Sequence, residues 1–163
     1  MQCVEQDIVE AALTTTAKLD PDCAAEAMMA FANSQPDIFA FEMAFTEELR
    51  DEVREIMIYL LFVVYRAFEM TATEPIPKID SDDIVATYEE NQEFVVGLDE
   101  HDESSFEQLA QSETANQPNL FVYITEALVD ENSEDDIELD DQEFGEIFMI
   151  LKTVIDVVDA ATN

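Results

Sequence analysis

Two glycines in 163 residues, Gly97 and Gly145, constrain this chain more than any other feature. Phosphate-cradling loops need several glycines so that backbone can approach the ligand. A P-loop and a dinucleotide-binding turn are therefore excluded, and no other cofactor signature is present. Tight hairpin turns also draw on glycine, which disfavours a β-rich fold. Hydrophobic residues make up 48% of the chain, the apolar content of a folded protein and not of a disordered acidic tail. A chain of this length buries roughly 68–70% of its unfolded surface, so a core needs neither disulfide nor metal.

Apolar spacing reads as helix throughout. A first helix is expected over about Val4–Leu19, with Ile8/Ala12 and Val9/Leu13 at i,i+4. Asp20-Pro21 is an N-cap followed by a first-turn proline and opens a second helix to about Asn33. Pro36 opens a short third, to about Phe45. Thr46, followed by Glu47 and Glu48, reads as the cap of a fourth helix reaching Thr71. The middle of that helix, Ile56–Tyr65, is apolar all round and should be enclosed by other helices. Its ten residues span about 15 Å, half a bilayer core, so it is not read as a membrane span. Pro75 and Pro77 mark a linker. Beyond it, helices are expected from Asp80 or Ser81 to Val96 with Gly97 ending it, over about 103–112, from Gln117-Pro118 through Leu128, and over about Asp140–Ala160.

The chain says the same thing twice. Gln35-Pro36-Asp37-Ile38-Phe39-Ala40-Phe41 aligns with Gln117-Pro118-Asn119-Leu120-Phe121-Val122-Tyr123. Asp7-Ile8-Val9 aligns with Asp83-Ile84-Val85, and Ile56-Met57-Ile58-Tyr59-Leu60 with Ile147-Phe148-Met149-Ile150-Leu151. The expected fold is thus all-α, about eight helices, an internal duplication of a four-helix unit packed as one globular domain. Residues 1–72 and 80–163 are the repeats and 73–79 the linker. The last helix carries Lys152, Thr153, Asp156 and Asp159 where the fourth has apolar residues, so it should lie nearer the surface. The extra apolar residues of the fourth helix could alternatively mark a homodimer interface.

Forty acids against six Lys and Arg give a net charge of -34. That charge repels phosphates, which opposes direct nucleic-acid binding and attachment to anionic membranes. Cationic partners are favoured, a basic protein surface above all. The charge is lopsided: 15 acids and 5 bases over residues 1–79, against 25 acids and Lys152 alone over 80–163. Within Asp130–Glu146 there are ten acids and no base, a natural steering element. Its partner-binding candidates are Asp130, Glu131, Glu134, Asp135, Asp136, Glu138, Asp140 and Asp141.

The same stretch offers oxygen ligands at alternate positions, Asp130, Asn132 and Glu134, with Asp136 and Asp141 beyond, as a calcium loop would. Asp135 stands where the sharp turn wants glycine, and Asp141 reaches less far than a bidentate Glu, so a solvated acidic loop is the plainer reading. His101 is the only histidine, too few for a di-iron bundle. Cys3 and Cys23 would lie roughly 21 Å apart in a helical hairpin, beyond the ~7 Å of a disulfide. They read as reduced thiols packed as small apolar groups. No nucleophile–base pair stands out and no catalytic residue is assigned. Met1–Glu5 has no positive, apolar leader, which points to a soluble cytoplasmic protein. The reading is a non-enzymatic acidic binding or regulatory protein, with mimicry of nucleic acid as a special case. The alternatives are a carboxylate-based metal-binding protein or enzyme, and a structural protein whose charge has no specific role.

Overall fold

The computed structural model describes residues 3–98, 116–129 and 137–163. Among them are seven helices and no strand: α1 Gln6–Ala17, α2 Pro21–Ser34, α3 Pro36–Phe45, α4 Asp51–Thr71, α5 Ser81–Leu98, α6 Pro118–Val129 and α7 Asp141–Thr162. The all-α expectation holds. The helix expected over 103–112 lies outside the described residues.

Local chemistry accounts for most of the boundaries. Asp20 caps α2 by accepting the backbone N–H of Cys23 at 2.9 Å, with Pro21 at the first helical position. Pro36 and Pro118 open α3 and α6. Asp140 and Glu143 form a capping box on α7: Glu143 N–H donates to Asp140 Oδ1 at 2.8 Å, and Asp140 N–H to Glu143 Oε2 at 3.1 Å. Two expectations are corrected here. Thr46 does not open α4 but closes α3, donating its hydroxyl to Glu42 O at 2.9 Å and Glu42 Oε1 at 3.0 Å; α4 starts five residues later, at Asp51. Gly97 does not end α5, which runs on to Leu98.

The two longest helices, α4 and α7, pack on each other and bury the most residues. α1 lies along α4 and α5 along α7; α6 packs on α1 and α7, and α3 on α5. The core they enclose includes Val9, Ile38, Met57, Leu61, Phe68, Ile84, Leu120, Ile147, Leu151 and Val158. α2 is an outer layer that buries only Phe31. Cys23 on α2 is consequently exposed, not packed away as the sequence suggested, while Cys3 is half-buried. Both are free thiols.

α7 is not nearer the surface than α4. Lys152 is 4% exposed, Thr153 0% and Asp159 6%. Their polar atoms are matched inside. Lys152 Nζ donates to Asp156 Oδ2 at 2.7 Å and to Asn91 Oδ1 on α5 at 2.8 Å. Asn91 Nδ2 donates in turn to Asp156 Oδ2 at 3.1 Å and Thr153 Oγ1 at 3.2 Å. A buried charge is tolerated when it is paired and its remaining hydrogen bonds are met. Burial pushes the Asp156 carboxyl up, against the opposing pull of Lys152 and Asn91.

Two buried glutamines tie extended backbone into this core. Gln35 Oε1 accepts Ile79 N–H at 3.0 Å, and its Nε2 donates to Pro77 O at 2.9 Å and Tyr65 Oη at 3.2 Å. Gln117 Oε1 accepts Val4 N–H at 2.9 Å, and its Nε2 donates to Asp159 Oδ1 at 2.7 Å. Asn119 Nδ2 completes that second hold by donating to Val4 O at 2.8 Å. Val4, read as helical from sequence, is thus part of the extended lead into α1.

Candidate functional site

The acidic stretch enters the described structure at Ile137 and runs through Glu138, Leu139 and Asp140 into α7. Asp130, Glu131, Asn132, Glu134, Asp135 and Asp136 lie outside the described residues, as does His101. Of the partner-binding candidates, Glu138, Asp140 and Asp141 are described, and all three are exposed. Of the metal candidates only Asp141 is described, as the first residue of α7. Among the described residues no group of three or more His, Cys, Asp or Glu is placed to hold a metal ion.

Arg50, immediately before α4, anchors this end of the stretch. Its guanidinium grips Glu143 with two parallel bonds, Nε to Oε1 at 2.7 Å and Nη2 to Oε2 at 2.8 Å, and Nη2 also donates to Glu138 O at 2.9 Å. The planar fork matches a carboxylate in this bidentate way. The bond to Arg50 holds the Glu143 carboxyl below the usual carboxylate range, although its partial desolvation opposes this. A partner 93 residues away in the chain carries no local signal in the sequence.

Between the first half of α4 and residues 137–138 runs an open groove of about 920 Å³. Ile56, Tyr59 and Ile137 line it with apolar surface, and Glu52, Glu55 and Glu138 with carboxylates. A second depression of about 620 Å³ lies where α4 and α7 both end, against Thr71–Pro75 and Ala161–Asn163.

Five of the six Lys and Arg side chains are paired or lie over a ring, while Lys18 is exposed and in none of the described ion pairs. Arg50 pairs with Glu143, Arg54 with Asp51 at 3.9 Å, Lys78 with Asp37 at 3.5 Å and Lys152 with Asp156. Arg66 lies over the Phe62 ring at 5.7 Å. Of the described carboxylates only Glu42, Glu143 and Asp159 are buried. Glu42 Oε1 is bonded by Thr46, whereas its Oε2 is enclosed with no hydrogen-bond partner. Burial pushes the Glu42 carboxyl up, with the Thr46 bond and nearby Arg54 opposing.

No helix of the described residues is long and apolar enough to cross a membrane. No family model, curated protein or solved structure matches the chain.

Proposed function

We propose that this chain is a non-enzymatic acidic binding or regulatory protein that engages a basic protein surface, in its special case by presenting carboxylates where a nucleic acid presents phosphates. One observation supports this above the others. Five of the six Lys and Arg side chains are taken up by ion pairs or a ring contact, while nearly all described carboxylates face solvent. The outer surface therefore carries a negative field that few local cations offset, and such a field steers and holds a positive partner. The setting that suits this reading is the cytoplasm, with the free thiols Cys3 and Cys23 reduced.

The test is retention of native-lysate proteins on the immobilised chain, eluted by rising salt. Basic nucleic-acid-binding proteins should be retained and be displaced by double-stranded DNA. Converting the acids of residues 130–141 to their amides should shift elution to lower salt. Retention no greater than on polyglutamate of equal charge would overturn the proposal.

We propose further that the architecture is a duplicated four-helix unit, residues 1–72 and 80–163 around the linker 73–79. The parallel roles of Gln35 and Gln117 support this. Each precedes a helix-opening proline and holds the extended lead into the first helix of the other half. The packing of α1 on α4 and α6 has its counterpart in α5 on α7 and α3.

A further inference from the structure

We propose that the groove between α4 and the lead into α7 is the docking site for a short basic, amphipathic segment of a partner protein. One apolar side chain would sit on its floor and Lys or Arg side chains along its walls. This rests on the reading that the partner presents a basic surface, and it adds where and with what chemistry that surface is met.

The floor is firm and apolar. Ile56 and Ile137 are half-buried and packed against the core, and Tyr59, three residues after Ile56 on α4, is 38% exposed. The walls are anionic. Glu52 and Glu55 are three residues apart on α4 and so share a face. Glu138, on the lead into α7, lines the same groove. Arg50 is the only base among the described lining residues, and its Nε and Nη2 are committed to Glu143 and to Glu138 O. Its Nη1 reaches Glu52 only at 3.8 Å, between exposed groups, where an ion pair is weak. None of the described ion pairs involves Glu55 or Glu138.

Charge and shape together select the occupant. A second copy of this chain, at -34, is repelled, as is any nucleic acid or acidic peptide. A purely apolar ligand would strip water from carboxylates and return nothing. A bare metal ion would leave the apolar floor unused. At about 920 Å³ the groove admits several side chains at once. Basic groups flanking an apolar anchor satisfy both floor and walls, the anchor supplying affinity and the flanks orientation.

The experiment uses the full chain at physiological ionic strength and two fluorescent synthetic probes. One is an amphipathic lysine–leucine peptide; the other is an oligolysine of equal charge. The lysine–leucine probe should bind about tenfold tighter, the gain from burying one apolar side chain. Tyr59→Ser, and independently Ile137→Ser, should abolish that difference while leaving oligolysine binding unchanged. Glu55→Gln with Glu138→Gln should weaken both probes more than Glu89→Gln with Glu90→Gln, the same charge change on exposed positions of α5. Circular dichroism and melting temperature show whether each variant folds. Equal affinity of the two probes, or a difference that survives both serine variants in folded protein, overturns the groove while leaving the basic-partner reading intact. Failure of both probes to bind at all overturns both.

Discussion

α4 and α7 are the two long helices at the centre of the molecule, and they achieve burial differently. α4 brings an apolar surface, Met57, Leu60, Leu61, Val64 and Phe68 among it, and needs only neighbours of complementary shape. α7 buries as deeply while carrying Lys152, Thr153 and Asp159, because α5 supplies Asn91 and the start of α6 is preceded by Gln117. The depth of α7 therefore rests on partners for its polar atoms, and not on the hydropathy of the helix alone. The two solutions also fail differently. A lost methyl group leaves a void, whereas a lost hydrogen-bonding partner leaves a charge in the interior.

The largest expected effects compare those failures directly. Phe68→Ala should cost about 3–5 kcal/mol through the cavity it leaves. Lys152→Ala should cost a similar ~3–5 kcal/mol, by abandoning Asp156 and the Asn91 carbonyl oxygen. Urea denaturation measures both. Replacing the group together, Asn91→Leu with Lys152→Met and Asp156→Leu, should return stability to within about 1 kcal/mol of the parent, or above it. A triple variant as unstable as Lys152→Ala would show that the polar group contributes more than apolar packing could.

Next come the two glutamines. Gln35→Leu and Gln117→Leu should each cost roughly 1–3 kcal/mol, since each leaves a buried backbone N–H without its acceptor. Comparable losses would strengthen the duplication; a loss confined to one would break the parallel.

Glu42→Gln should stabilise at neutral pH by about 1 kcal/mol, because it removes the negative charge of a carboxylate that burial disfavours. Glu42 titrates higher folded than unfolded. Its contribution is therefore fully present below the unfolded value and is lost as pH rises through the folded one. Variant and parent should converge in acid and separate on the alkaline side of that window, as thermal melts across pH will show. The smallest effect is expected from Arg50→Gln, a drop of a few degrees in melting temperature. Glu143 titrates lower when folded, so its contribution is present above the unfolded value and lost as pH falls through the folded one. The variant's deficit should accordingly shrink in strong acid.

Much of the fold was legible because it is written in short-range chemistry. Asp20-Pro21, Pro36, Pro118 and Asp140 each act within one turn of themselves, and the helix starts they mark are where the residues placed them. Thr46 misled because a threonine followed by acids looks the same whether its hydroxyl caps the next helix or bonds back to the last turn of the previous one. The depth of α7 was invisible for a different reason. Lys152 reads as a surface residue until Asn91, 61 positions earlier, is known to face it. The groove was equally hidden: Tyr59 sits inside an apolar run that predicts burial, and only the passage of residues 137–138 alongside turns its exposed edge into a floor. Glu138, Asp140 and Asp141 were identified from charge alone. Their local roles, a carbonyl held by Arg50 and a cap on α7, depend on contacts that charge does not encode.

The amide of Gln35 bears on what a cut in the chain would do. It joins α3 to both Pro77 and Ile79, and to Tyr65 on α4, so the stretch leading into α5 is fastened to the first half from within. Thr73, Glu74 and Pro75, just upstream, are exposed. A protease that severs the chain there should release nothing at once: the two fragments would stay together as a non-covalent pair, parting under milder conditions than those that unfold the intact molecule, and more readily on dilution.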